Sequence, residues 1–247
     1  QEYMKFGPGR CGYTHFLDDN GHIIDDMIFA VVSEEEVIGV PNSSMIPMMF
    51  EWFESHMPND GSIFMEDLSE RTSILALQGP ASMSIISVVL GKSNSVSRFH
   101  CQPITQNELG IEGWIQGTGY TGEKGAEIFV DNEFAPVLWR AIRGQAESGV
   151  VPAGLGARDT LRLEMGYLLS GQDFLWPEMG KEASSGLPSG FLSRNTVETA
   201  VSYGLDMNHD FLGKDRVIAS LDSGPRWWGL ACLERGPSPR PGHAVMD

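Results

Sequence analysis

Lysine is scarce in this 247-residue chain, confined to positions 5, 92, 124, 181 and 214, so arginine carries most of the positive charge and the formal net charge is -16. An acidic excess of that size excludes nonspecific attraction to nucleic acid or to an anionic membrane surface, both of which are polyanions. Cysteine is equally rare. Cys11, Cys101 and Cys232 are odd in number, far apart and without CxxC spacing, which argues against a disulfide scaffold or a zinc knuckle and fits a reducing compartment. The six histidines form no HxxxH or HExxH pair, so no metal is expected. No apolar stretch approaches the length of a bilayer span and the first residues are no signal peptide, so no membrane partner is expected. What is present is ample apolar material: a hydrophobic content of 41% is enough to bury a core in one large domain or two smaller ones.

Cys11 to Leu17 and His22 to Val32 are extended runs around Asn20-Gly21, a dipeptide that favours a tight hairpin. A short strand near Val37 to Val40 follows. Asn42-Ser43-Ser44 predicts the cap of a helix through Met48, Met49, Trp52 and Phe53, with Pro47 in its first turn. Ile74 to Leu77 reads as a strand closed by Gln78-Gly79-Pro80. A helix through Ile85, Ile86 and Val89 comes next, and Gly91 ends it. Strands are expected at 110–116 and 127–130, and helices at 132–147, at 157–167 and after Gly213. Phe174 to Arg194, rich in Gly, Pro and Ser, reads as an exposed insertion. Strands and helices are interspersed without regular alternation, so the fold class expected is α+β, with antiparallel or mixed sheets and packed helices.

Gly117-Thr118-Gly119-Tyr120-Thr121-Gly122 matches the GxGxxG pattern of dinucleotide sites, but the residues after it decide against that role. A dinucleotide site needs a helix opening at the third glycine to hold the pyrophosphate, whereas Glu123-Lys124-Gly125 is another turn and 126–130 a strand. Read as a hairpin bend, the segment points Tyr120 and Glu127 toward a common pocket.

The string Gly119-Tyr-Thr-Gly-Glu-Lys-Gly-Ala-Glu-Ile-Phe129 resembles a signature of the glycine cleavage T-protein (aminomethyltransferase) family. Gly154-Leu-Gly-Ala-Arg-Asp-Thr-Leu-Arg-Leu-Glu164 and Ser170-Gly-Gln-Asp173 follow in the family's order, and Gly21-His-Ile-Ile-Asp-Asp26 and Leu75-Ala-Leu-Gln-Gly-Pro80 precede. The resemblance runs from about Gly9 to Arg240. It implies a folate-binding domain over 1–222, possibly as two subdomains, and the beginning of a carboxy-terminal β-barrel over 223–247. Against that pattern an amino-terminal segment and most of the barrel are missing. Together with Gln1 at the first position, this reads as a fragment.

The resemblance also implies an activity. Family members bind tetrahydrofolate, take an aminomethyl group from the lipoyl arm of the H-protein, release ammonia and form 5,10-methylenetetrahydrofolate. They work in the cytoplasm, or in the mitochondrial matrix of a eukaryote. A transient cation and a mobile proton call for a fixed carboxylate. Strand alternation puts Asp25 and Asp26 on opposite faces, and spacing alone does not choose between them. The resemblance chooses Asp26 as catalytic residue. It further implies Glu127 against the pterin edge, Tyr13, Tyr120 and Tyr167 lining the cavity, Asn42 as a polar contact and Arg158 as a cationic fork, in preference to Arg162 one turn later.

Two other readings fit the residues less well. A folate-dependent demethylase acting on a methylated small molecule need not keep the acid at position 26. Non-catalytic folate-binding assembly factors carry a Lys-Gly-Cys-Tyr loop that this sequence lacks. Departures from the family pattern are Gly117, where relatives have a larger residue, His22 in place of a glycine, and Met45 in place of an asparagine.

Overall fold

The architecture was obtained as a computed structural model, which describes residues 6–179, 190–201, 205–222 and 226–236. The expected first hairpin forms. β1 (Arg10–Leu17) and β2 (Ile23–Val31) flank the acidic turn, and β3 (Val37–Pro41) completes a three-stranded sheet in the order β1-β2-β3. The connection is longer than the tight two-residue turn that Asn-Gly suggests. The Asp18 amide donates to the His22 carbonyl at 3.0 Å, and Gly21, at φ 78°, donates to the Asp18 carbonyl at 2.9 Å. Asp19, Asn20 and Gly21 therefore form a three-residue loop ending in the left-handed conformation that glycine adopts without steric cost. The Asp18 carboxylate accepts from the Asn20 and His22 amides, so its charge serves the turn itself.

The second sheet contains β4 (Thr72–Gln78), β5 (Cys101–Pro103), β6 (Trp114–Gln116) and β7 (Gly125–Asp131), in the order β4-β7-β6-β5 with every pairing antiparallel. Residue alternation gives it two different faces. Leu77, Ile115, Ala126, Ile128 and Val130 pack against α2 (Ser82–Val89) and α3 (Ala135–Arg143) through Ile85, Ile86, Val89, Leu138 and Ile142. Ile128 has no solvent exposure, so truncating it to alanine would cost about 2–5 kcal/mol. On the opposite face Cys101, Trp114 and Phe129 meet Cys11 of β1 and Ala30 of β2. Glu127 and Gln116 share that second face, one pleat further along from Phe129 and Trp114.

Among the described residues three more helices form: α1 (Ile46–His56), α4 (Leu155–Glu164) and α5 (Lys214–Ala219). The α+β class is as the sequence implies, and several details differ from expectation. Asn42 precedes a 3-10 turn (Ser43–Met45) rather than α1 itself, and its side chain makes no capping hydrogen bond. β6 begins only at Trp114, because Gly110 and Gly113 take positive φ and the Asn107 side chain ties a turn to Leu109 and Ile111. The helix expected from 132 starts at Ala135, since Asn132 is bound to the strand end by Ser73 and the Glu70 carbonyl. β5 is a strand the sequence did not announce.

The chain divides into two compact units, one formed by residues 1–14 and 27–167, the other by 15–26 and 168–247. In the second, Leu17, Ile23, Leu168, Phe174 and Val217 form the buried core. The 174–194 segment is therefore not simply an exposed insertion. Phe174 is fully buried, and Trp176 donates to the Asp18 carboxylate at 3.0 Å, while 180–189 lie outside the described residues. Among the described residues of 226–236 no strand forms. Among the described residues no helix is long and apolar enough to cross a membrane.

Candidate functional site

Four of the residues singled out by sequence, Tyr120, Glu127, Arg158 and Tyr167, gather at the bend between β6 and β7. Gln78, at the end of β4, sends its carboxamide into that bend. Its nitrogen donates to the Thr118 and Ala126 carbonyls at 3.1 and 3.3 Å, and its oxygen accepts from the Thr121 hydroxyl at 2.9 Å. Cβ atoms at Gly119 or Gly125 would collide with this carboxamide. The Leu-Gln-Gly-Pro block and the glycine-rich block thus form one object, a loop wrapped around an amide. A Cβ at Gly117 would instead strike the backbone of Ser97, where Arg98 and Gly117 bridge. Glycine at this position therefore has a steric reason in this chain.

The wrapped loop fixes Glu127. Thr118, almost fully buried, donates its hydroxyl to Glu127 Oε2 at 2.5 Å, a charge-assisted bond that orients the carboxylate. Glu127 is itself half-buried, so part of its accepting capacity stays open to a ligand. Gln116 lies directly across from Glu127 in the strand register. It is completely buried, and neither its oxygen nor its nitrogen finds a hydrogen-bond partner. Sequence reasoning missed both Thr118 and Gln116; a polar residue opposite Glu127 in an otherwise apolar strand was the available signal for the latter.

Tyr120, Arg158 and Tyr167 are brought together. The two rings stack at 5.9 Å between centroids with an interplanar angle of 27°, and the Arg158 guanidinium lies 4.5 Å from the centre of the Tyr120 ring. The end of α4 places Tyr167. Gly166, at φ 70°, ends the helix with Gly166 N–H donating to the Leu163 carbonyl and Tyr167 N–H to the Arg162 carbonyl, the paired bonds of a Schellman stop. Arg162 then returns its guanidinium to the Tyr167 carbonyl at 3.1 Å and to Asp159 at 2.7–2.8 Å. Arg162 is wholly buried and committed to this turn, whereas Arg158 is exposed. Their spacing of one helical turn therefore conceals different environments.

The remaining sequence-derived residues occupy separate elements. Tyr13 lies on β1 and Asn42 just before the 3-10 turn, both half-buried. Asp26 lies on β2, half-buried, while its neighbour Asp25 is completely buried. Cys11 packs with Cys101. Burial pushes the Cys11 thiol far above its usual range, with Cys101 and the Glu127 charge adding to the effect. No group of three or more His, Cys, Asp or Glu side chains suited to a metal occurs among the described residues.

A family model described as the GCVT N-terminal domain matches residues 1–179. An aminomethyltransferase of Prosthecochloris aestuarii is 39% identical over 173 residues, covering 68% of this chain and 47% of that protein. An aminomethyltransferase of Geobacillus thermodenitrificans is 32% identical over 248 aligned positions, 99% of this chain and 63% of that protein. Among solved structures, the glycine cleavage system aminomethyltransferase T from Bartonella henselae superposes with a TM-score of 0.67 at 25% identity, covering 88% of this chain and 54% of that one. The chain spans about half the length of the curated relatives it matches.

Proposed function

Since the chain belongs to the GCVT N-terminal domain family, we propose that it is the folate-holding part of an aminomethyltransferase of glycine cleavage. In this reading it takes the aminomethyl group from the lipoyl arm of an H-protein, passes the carbon to tetrahydrofolate and releases ammonia. The observation that carries the reading is Glu127, a half-buried carboxylate held in one orientation by Thr118.

A reduced pterin presents adjacent N–H groups on its amino-pyrimidinone edge, and a carboxylate fixed beside a flat apolar wall suits that edge. The stack of Tyr120 and Tyr167 offers such a wall, and Arg158 above it offers a cation to the anionic tail of folate. Tyr13 and Asn42 line the same cavity in this reading. Asp26 is the catalytic carboxylate, stabilising the cation that develops as ammonia leaves and holding the proton that must move.

The test supplies the full chain with tetrahydrofolate and aminomethylated H-protein and measures ammonia release for the native protein and for Asp26→Asn. The variant keeps the shape and loses the charge, so release should fall by roughly a hundredfold or more. Undiminished release in the variant would remove Asp26 from the mechanism. No release by the native protein would remove the activity.

A further inference from the structure

Gln116 is an anomaly of the second sheet, where among the described residues Trp114 Nε1, two residues earlier on β6, is the one other buried side-chain polar atom without a partner. It is completely buried, both carboxamide atoms lack a hydrogen-bond partner, and its Cα partner across the β6-β7 register is Glu127. Directly opposed residues of an antiparallel pair put their side chains on the same face, with Cβ atoms about 5 Å apart. Buried amides in native proteins are nearly always paired, and an exception calls for a role. The amide is not needed for packing, since Met or Leu would fill a similar volume without stranding a donor and an acceptor. No hydrogen bond holds its carboxamide, and it lies on the face of the sheet that carries Glu127.

We propose that Gln116 is a second ligand-reading group of the Glu127 site, and that it selects the reduced pteridine ring over the oxidised one. The inference rests on the folate reading above. On either side of the edge that a carboxylate takes, a tetrahydropteridine carries an acceptor next to an N–H: the 4-oxo group beside N5–H, and N1 beside N8–H. A primary carboxamide matches such a pair, donating through its nitrogen and accepting through its oxygen. In the fully oxidised ring N5 and N8 carry no hydrogen, so the carboxamide oxygen is again left alone. A site built to receive an N–H rejects an analogue that lacks it, because the buried partner is stranded.

The experiment measures binding of tetrahydrofolate, under anaerobic conditions, and of folic acid to the full chain and to its Gln116→Met and Gln116→Leu variants, together with their thermal unfolding. The native protein should prefer tetrahydrofolate by about tenfold, the worth of one well-placed buried hydrogen bond. In both variants that preference should shrink toward one while the unfolding temperature stays level or rises, as expected when an unpaired amide is removed. Unchanged selectivity in the variants overturns the proposal, and so does loss of stability in both, which would show that the amide is needed by the fold. If the native protein binds neither compound, the folate reading itself falls; if it binds and the variants match it, only the role of Gln116 falls.

Discussion

The Gln78 carboxamide occupies the space that a side chain at Gly119 would need. Because the colliding atoms are the far end of a flexible side chain, Gly119→Ala is relieved by displacing Gln78, and the cost is the loss of its bonds to Thr118, Ala126 and Thr121. At roughly 1 kcal/mol each, Gly119→Ala and Gln78→Ala should each destabilise by about 1–3 kcal/mol. The double variant should be little worse than either single one, since both remove the same bonds. Denaturant midpoints of the four proteins measure this; additive losses would mean that Gln78 and Gly119 act separately.

Gly117→Ala should be the more damaging change. There the obstacle is the backbone of Ser97, which cannot rotate away, and β6 must separate from the bridge at Arg98. The expected loss is about 2–4 kcal/mol, above that of Gly119→Ala, and the same midpoints rank the two.

Arg162 supports the tyrosine stack from behind. Arg162→Lys keeps the charge but not the fork that reaches Asp159 and the Tyr167 carbonyl together. A loss of about 1–3 kcal/mol is expected, with a changed near-ultraviolet circular dichroism signal as Tyr167 shifts against Tyr120. Arg158→Ala removes one exposed cation from a ring face and should cost less than about 1 kcal/mol. If the two variants are equally stable, the buried fork contributes nothing.

His15 makes the second unit sensitive to acid. Burial lowers its imidazole from 6.5 to about 4, and its Nδ1 lies 3.0 Å from the Thr196 hydroxyl. The unfolded chain takes up this proton near pH 6.5 and the folded one only near 4. Between those values the unfolded state binds more protons, so stability falls as pH drops through the window and levels off below it. The effect is about 1–3 kcal/mol, and urea titrations at pH 7, 5.5 and 4.5 should show a slope in the native protein that His15→Gln reduces. Parallel slopes would leave His15 without a part.

Much of this fold is legible in the residues, for reasons that also explain what is not. Alternation identifies β7, because Ala126, Ile128 and Val130 face one way and Glu127 and Phe129 the other. Gly21 and Gly213 mark a turn and a helix start through their positive φ. β5 escapes because three residues are too few to show a period, and its place depends on pairing with β6 from a distant part of the chain. The helix expected over 132–147 is too long because Asn132, a plausible helix opener, is used to bind the end of β4 instead. Within the site, Glu127 and the Tyr120, Arg158 and Tyr167 group can be named from motif resemblance. The burial of Arg162 and the stranded amide of Gln116 depend on what surrounds them in space, and no local pattern reports that.

The division of the chain sets the order in which it can finish folding. Leu17 and Ile23 emerge early in synthesis, yet the core they join includes Val217, roughly two hundred residues later, so the tip of the first hairpin must wait until nearly all of the chain is available. A cut after residue 167 would not release a self-sufficient amino-terminal domain, because it would leave two greasy side chains on a hairpin whose companions had gone with the other piece.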